Sequence, residues 1–435
     1  MTPPARLRCA VLVIGGGPAG MAAASAAAEA GATTTLLEAA PALGGQVWWG
    51  GPGTPLARRW WRRLERSGAR VLCGARVVAF PAPGRVLAEA ADAALDLRCD
   101  RLILAPGARE RLLPFPGWTL PGVMGAGGLQ ALAKGGFPVA GRRVLVGGSG
   151  PLLLAAAAGL RQRGAVVLLI AEQAPPARLR AFAGAVLRDG RLAQAAALRL
   201  ALRGVPYRAG AWVLRAHGTE RLQAVTVRLP EGERTLDCEY LACGYGLVPN
   251  LELPRALRCA LGPGPAVRAD DAQATGVPGV YCAGEAGGIG GLEAALAEGE
   301  IAGWNAAGWP GRARRLWPAR ARARRFAAAM DRAFALRPEL AALAGEETVV
   351  CRCEDVTLGQ LRPHAGWREA KLQTRCGMGP CQGRICGPAA QWLLGWEAPG
   401  LRPPLCPVAV GTLAAFGGEW GEAAPPAGGP PAPEV

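Results

Sequence analysis

Histidine is almost missing from this chain of 435 residues: His217 and His364 are the only two. Their scarcity excludes a multi-histidine metal centre and leaves little for histidine acid–base chemistry. Lys134 and Lys371 are the only lysines, so the formal charge of +16, from 49 Lys and Arg against 33 Asp and Glu, is almost wholly arginine. Arg, Ala, Gly and Pro are enriched together along the whole chain. The excess therefore reads as compositional bias, and without a recognition module it gives no nucleic-acid binder. No uncharged apolar run reaches the ~18 residues of a membrane-spanning helix. Arg6 and Arg8 do precede an apolar run from Cys9 to Ala28, but Gly15, Gly16, Gly17, Pro18 and Gly20 interrupt it where a signal helix needs continuous turns. The expectation is a cytoplasmic chain with no transmembrane segment, at most peripheral to the inner membrane.

What is present is a chain with 51% hydrophobic residues, 63 Gly and 13 Cys, long enough for about two or three domains of about 150 residues. Cys9 to Ile14 reads as a buried parallel strand. Gly15-Gly16-Gly17-Pro18-Ala19-Gly20 follows, then an Ala-rich helix to about Gly31, then a strand from Thr33 to Leu37 that ends in Glu38. This is G-x-G-x-x-G with its strand, helix and acid in register. Gly15 permits the tight turn, Gly17 lets the backbone approach a pyrophosphate, and Gly20 lets helix and strand pack closely. The helix N-terminus, opened by Pro18 and Ala19, favours the diphosphate charge, and Glu38 can accept from adenosine ribose hydroxyls.

Later, Gly279 to Cys282 and Ala283-Gly284-Glu285 form a strand ending in Gly-acid before a helix from about Leu292 to Ala307. This resembles the closing FAD motif of two-dinucleotide-domain flavoproteins of the thioredoxin reductase type. The resemblance gives Glu285 the ribitol chain, in a place where that family usually has Asp. Gly44-Gly45-Gln46 and the segment Leu102 to Gly107, with Ala105 and Gly107, match other FAD-side segments; Pro106 stands where Thr is usual. Thiol–disulfide members carry a C-x-x-C pair, which both nucleotide regions here lack, so disulfide reductase activity is not expected.

Arg143 to Val146, Gly147-Gly148-Ser149-Gly150-Pro151, a helix from Leu152 to Leu160 and a strand from Ala165 to Ala171 ending in Glu172 repeat the first pattern. Leu153 takes the third-glycine position, which keeps the helix from packing as closely. Glu172 repels a ribose 2′-phosphate. Gly148, Gly150 and Glu172 thus frame a second site for NAD, ATP or nothing.

Seven cysteines, from Cys9 to Cys282, are scattered and read as small buried hydrophobes. Beyond an Arg- and Ala-rich connecting helix in 312–345, with Leu316, Phe326, Met330 and Phe334 at helical spacings, come Cys351, Cys353, Cys376, Cys381 and Cys386. A chain this long needs no disulfide staples, so the cluster points to a metal or redox centre. Four thiolates without a nearby histidine favour iron–sulfur over hard cations; a structural zinc site uses the same residues, and iron colour would exclude it. Arg352, Arg375 and Arg384 could offset the centre's negative charge, while Gly377 and Gly379 let backbone N–H groups approach sulfur. The segment looks like the bacterioferritin-associated ferredoxin (BFD) type fused to flavoproteins: C-x-C, a gap, then G-M-G-x-C-Q-G-x-x-C. That resemblance implies Cys351, Cys353, Cys381 and Cys386 as [2Fe–2S] ligands and leaves Cys376 spare.

Ala105-Pro106-Gly107-Ala108-Arg109-Glu110-Arg111, the segment Leu113 to Met124, Gly244 to Asn250 and Ala283 to Glu293 together are similar to one group. It comprises the A-type subunits of opine oxidases and of dye-linked proline or hydroxyproline dehydrogenases, with the B subunit of hydrogen cyanide synthase. The fold class expected is α/β, with two Rossmann-like domains: 1–120 and 245–311 for FAD, and 121–244 inserted between them. A 312–345 linker, a BFD-like [2Fe–2S] domain over 346–396 and a tail over 397–435, disordered from about 419, complete it. The resemblance implies an FAD and [2Fe–2S] electron-transfer subunit of a heteromeric enzyme that oxidises an amino acid, imino acid or opine. Its partners would be a substrate-oxidising flavoprotein chain, a small ferredoxin-like chain and an acceptor of the respiratory chain or a dye-like mediator. A stand-alone NAD(P)H-dependent flavoprotein reductase and a non-enzymatic iron–sulfur sensor are the alternatives. His217, in a hairpin region, and His364 read as surface or capping residues.

Overall fold

The apolar run near the N-terminus lacks helix-period spacing and is rich in Val, Leu and Ile, which suits a strand covered on both faces. In the computed structural model, which describes residues 3–417 apart from 92, 263, 398 and 399, it is the strand Ala5–Ile14. Parallel neighbours flank it, Thr34–Leu37 on one side and Ala93–Leu104 on the other. Arg70–Leu72 extends the sheet beyond Thr34–Leu37, and Val280–Cys282 joins the far side in parallel. The long strand Ala93–Leu104 also closes an antiparallel meander with Ala75–Ala82 and Arg85–Ala90. The segment from Leu401 adds to this unit: Leu405 N–H donates to Val78 O and Ala409 N–H to the Glu89 carboxylate. The tail from about 419 lies outside the described residues.

By contact density the chain divides into two units. One runs to Ala108 and takes in Pro249–Ala321 and the segment from Leu401; the other joins Arg109–Val248 to Arg322–Gly400.

The second unit repeats the same plan. Its parallel sheet has the order Tyr207–Ala209, Val166–Glu172, Arg143–Ser149, Tyr240–Tyr245, Val123–Met124. A three-stranded antiparallel sheet, Trp212–His217, Ala224–Leu229 and Gly232–Asp237, stands where the first unit has its meander. His217 ends the first of these strands and its Nε2 lies 2.7 Å from Thr226 Oγ1; His364 Nδ1 is 3.4 Å from the Glu369 carboxylate.

The Arg-rich stretch forms the helices Pro310–Arg314 and Trp317–Ala333. It is less solvated than a plain connector: Ala323, Phe326, Ala327 and Ala333 are buried. Phe326 and Phe334 pack on Phe182, with ring centroids 5.4 and 5.3 Å away. Beyond it, residues 349–394 form the short hairpin Val349–Cys351 with Val356–Thr357, then the helices Leu358–Leu361, Trp367–Thr374 and Cys386–Leu394. This segment is fastened within its own unit. Trp118 Nε1 donates to Val349 O at 2.6 Å, Arg352 lies 5.1 Å from the centroid of the Trp118 ring, and Arg109 Nε donates to Arg384 O at 3.1 Å.

One helix pair sets the first unit's geometry. Helix Gly291–Ala306 crosses Pro18–Glu29 with Gly299 and Gly303 at the contact; a Cβ on Gly299 would stand 2.1 Å from Ala19 O, and one on Gly303 2.3 Å from Ala23 O. Only backbone hydrogen fits there. Gly299→Val is therefore expected to destabilise the chain by about 1–3 kcal/mol, read as a lower denaturant midpoint, whereas Gly184→Ala, at an open helical position, tests the background.

Candidate functional site

The first phosphate loop follows from local sterics. Gly15 has φ +108° and faces Ala105 O, which a Cβ would approach to 2.1 Å. Gly20 packs on the same turn, where a Cβ would lie 1.7 Å from Gly15 O. Gly17 caps helix Pro18–Glu29 without any side-chain hydrogen bond, so the helix N-terminus keeps its donors for an anion. Across from Gly17 stands Gly45, whose φ of +54° and missing side chain leave a cradle; a Cβ on Gly45 would come 3.0 Å from Gly17 Cα. Gly44 N–H donates to Gly16 O at 2.9 Å, which fixes the two loops together. Gln46 follows in an exposed turn. The Glu38 carboxylate accepts from Gly16 N–H at 2.5 Å and Ala40 N–H at 2.6 Å.

Ala105 to Gly107 and Gly284–Glu285 arrive from the neighbouring strand ends. Ala283 N–H donates to Leu104 O, and a Cβ on Gly284 would meet Ala19 Cβ at 2.8 Å. Glu285 lies in the short 3-10 helix Gly284–Gly287 and is half-buried. Sequence reasoning missed two residues that hold this arrangement. Asn250 donates through Nδ2 to Pro106 O and through its backbone N–H to Gly107 O. Glu298, with 1% exposure, accepts from Gly284 N–H at 3.0 Å. Asn250 closes the quoted Gly244 to Asn250 motif, so a signal existed; Glu298 is one acid among several in its helix and carried none.

The second loop has the same backbone plan and a different fate. Gly148, with φ +136°, packs against Gly244 O, and Gly150 caps helix Pro151–Arg161. Leu153, where the third glycine would be, is a buried core residue. Here the Glu172 carboxylate accepts from Gly150 N–H at 2.7 Å and Ala174 N–H at 2.9 Å. Gly150 is the counterpart of Gly17, so the acid takes a donor that the first loop leaves open. Residues Phe334 to Arg337 cover the rest. Ser149 Oγ donates to Phe334 O at 2.9 Å, Gln173 Nε2 reaches Ser149 Oγ and Ala335 O, and Arg337 N–H donates to Gln173 Oε1. Gly148, Ser149, Gly150 and Glu172 are all buried, whereas Gly15, Gly17 and Glu38 are half-open.

The cysteines separate into two chemical groups. All 13 are free thiols. Cys9, Cys99, Cys238, Cys243, Cys259 and Cys282 are buried, and burial pushes the thiols of Cys99, Cys238 and Cys243 up to about 12. Cys73 is exposed, a departure from the buried reading, because it stands just past the short edge strand Arg70–Leu72. In the C-terminal segment the Sγ atoms of Cys351, Cys376 and Cys386 all lie within 4.8 Å of one another and are buried. Cys381 contacts Cys386 and Cys353 through sulfur. Thiol donors on Cys376 and Cys386, with the N–H groups of Gly377 and Cys353, hold the Cys351 thiol down at about 2. Contact with Cys386, then the N–H groups of Ile385 and Gly383, lowers Cys381 to about 5.

Such a set of soft, anion-favouring donors with backbone N–H groups aimed at sulfur suits a thiolate-bound metal centre. The tight sulfur group holds two of the four ligands expected from the sequence, Cys351 and Cys386, together with Cys376, which was read as spare; Cys381 touches Cys386, and Cys353 touches Cys381. Gly377 serves as expected. Gly379 acts sterically instead, since a Cβ there would stand 2.2 Å from Cys353 Cβ. Arg375 Nε is paired with Glu354 at 2.9 Å and Arg352 faces Trp118, so both arginines have other partners beside the thiols.

Two Rossmann-like folds in one chain, the second inserted in the first, define the architecture of a two-dinucleotide-domain flavoprotein. The chain belongs to the pyridine nucleotide–disulphide oxidoreductase family, whose sequence pattern matches residues 9–307, and is an FAD-dependent oxidoreductase. It is 34% identical to the A-type subunit of opine oxidase from Rhizobium meliloti (strain 1021), over 93% of this chain and 98% of that protein. Hydrogen cyanide synthase subunit HcnB of Pseudomonas aeruginosa is 32% identical over 72% of this chain and 73% of its own. Among solved structures, L-proline dehydrogenase from P. horikoshii superposes with a TM-score of 0.65 at 20% identity, covering 95% of this chain and 81% of that one. Thioredoxin reductase of T. acidophilum gives 0.52 at 20% identity, over 69% and 97%. At such identities the two structures bear on the fold alone. No helix among the described residues is long and apolar enough to cross a membrane.

Glu172 yields a pH test. Burial penalises its charge more than the Ala174 and Gly150 N–H donors relieve it, raising the carboxyl from 4.5 to about 7. A raised folded-state value means the stability it contributes is present below the unfolded value and is lost as pH rises through about 7. Glu172→Gln gives up one acceptor at pH 5 but removes that loss. The thermal midpoint gap between variant and wild type is expected to narrow or invert by about pH 8, measured by far-UV circular dichroism.

Proposed function

We propose that this chain is the FAD- and [2Fe–2S]-containing electron-transfer subunit of a heteromeric dehydrogenase or oxidase acting on an amino acid, imino acid or opine. The observation that carries the proposal is the pocket of converging thiols at the end of a chain whose first Rossmann fold keeps an open phosphate cradle. The similarity to the A-type subunit of opine oxidase over 93% of the chain supports the substrate class. Gly15, Gly17, Pro18, Ala19 and Gly20 would hold the diphosphate and Glu38 the ribose. Gly45, Gln46, Ala105, Gly107, Gly284 and Glu285 would line the remainder of the flavin. In the BFD-like segment, Cys351, Cys353, Cys381 and Cys386 would hold the cluster. When bound, a flavin accepts electrons in pairs and a [2Fe–2S] centre passes them singly.

The chain's own residues do the positioning. Asn250 clamps Pro106 and Gly107, Glu298 anchors Gly284, and the uncapped helix at Pro18 presents its dipole to the diphosphate. Gly377, Gly383 and Ile385 supply N–H donors to thiolate sulfur, which stabilises the charged ligand form. With two histidines, His217 engaged with Thr226 and His364 with Glu369, the chain has little to offer as a proton-transfer base. Substrate oxidation is accordingly assigned to a partner flavoprotein, with a small ferredoxin-like chain and a respiratory-chain or dye-like acceptor completing the path.

The stand-alone NAD(P)H reductase reading fares worse, because Glu172 and residues Phe334 to Arg337 take up the groups a second nucleotide would address. The second fold is proposed to hold no nicotinamide nucleotide, and the same filling argues against ATP there. Under anaerobic conditions NADH is expected to leave the flavin absorbance of the purified chain unchanged, while rapid bleaching would refute the electron-transfer reading. Glu38→Ala should lower bound FAD roughly ten-fold (~1.4 kcal/mol), measured by flavin released on denaturation.

A further inference from the structure

The thiol pocket holds one cysteine more than a four-thiolate cluster uses, and the extra one is not at the edge. Cys351, Cys376 and Cys386 are each 1% exposed, and their sulfurs form the tightest group. Cys353, in contrast, is exposed, and its sulfur meets the others by way of Cys381. Secondary structure explains the difference. Cys351 ends the strand Val349–Cys351 and Cys386 opens the helix Cys386–Leu394. Cys376 follows Arg375, whose φ of +65° terminates helix Trp367–Thr374 and turns the chain inward. Cys353 sits in the turn between two short strands, with Gly379 close against its Cβ and Cys381 as its sulfur's partner.

Resting on the iron–sulfur reading above, we infer that the centre draws on five thiols, with Cys376 an alternative ligand that takes over the coordination place of Cys353. The exchange is redox-neutral. Cys376 gives up its thiol proton as its bond to iron forms, and Cys353 takes up a proton as its own bond to iron breaks. An exposed ligand, and a spare thiol already buried in the sulfur group, are what such an exchange requires. Cys381 and Cys386 are not replaced in this way: Cys386 belongs to the buried trio itself, and Cys381 is the thiol that touches both Cys386 and Cys353.

The test uses the full chain, reconstituted anaerobically with ferrous iron and sulfide. Iron and acid-labile sulfide per chain are measured, with the electron paramagnetic resonance spectrum of the reduced centre. Cys353→Ser and Cys376→Ser are each expected to keep a cluster, the first with shifted g-values, while the double variant loses at least about ten-fold in iron. Cys381→Ser, lacking a reserve, should resemble the double variant. Unchanged FAD content and far-UV circular dichroism establish that each variant is folded, and Cys376→Ala replaces the serine variant if it is not. A Cys353→Ser chain as iron-poor as the double, or a double variant that keeps its cluster, overturns the inference. A wild-type chain that takes up no iron and sulfide refutes instead the cluster reading on which it rests.

Discussion

Backbone contact without side chains between is the constraint on which the first unit depends. Helix Pro18–Glu29 has to lie against its own strand at Gly20 and against helix Gly291–Ala306 at Gly299 and Gly303. Each approach leaves no room for a methyl group. The consequence reaches the site directly: the helix whose N-terminus would face a diphosphate is fixed on two sides by backbone, and the Gly284 turn is brought against Ala19. Rigid placement of this kind is what an anion site needs, since a helix end stabilises charge only within its last turn.

The second fold shows how little is needed to cancel the same design. Its acid stands 24 positions beyond Gly148, against 23 from Gly15 to Glu38. With that added residue the carboxylate reaches Gly150 N–H in place of the Gly16 equivalent. Once the acid has turned onto its own loop and is buried, its charge is disfavoured, and a chain segment can seal the cleft with ordinary backbone hydrogen bonds through Ser149 and Gln173. A motif thus persists as a fold element while its own acid takes the Gly150 N–H.

This difference marks what was legible in the sequence. Strand, glycine loop, helix and acid are local features, written in apolar runs and spacing, and both Rossmann folds appear where those patterns fall. The filling of the second cleft comes from Phe334 to Arg337, some 160 residues away from Gln173, and no local pattern carries that contact. Arg352 and Arg375 illustrate the same limit. Sequence proximity to the cysteines suggested charge compensation, yet a guanidinium prefers whichever carboxylate or ring tertiary packing supplies, here Glu354 and Trp118.

Cys376 makes the converse case. Its place in a family pattern left it unassigned, because a pattern records which positions recur and not which sulfurs are close. Local backbone decides the matter: Arg375 ends its helix in the left-handed region, and the next residue is delivered inward beside Cys351 and Cys386. A buried thiol in a cluster of thiolates is costly unless something shares its charge or proton. A site that binds metal through Cys351, Cys381 and Cys386 with either Cys353 or Cys376 meets that condition, and the exposed Cys353 is the one that loses least by letting go.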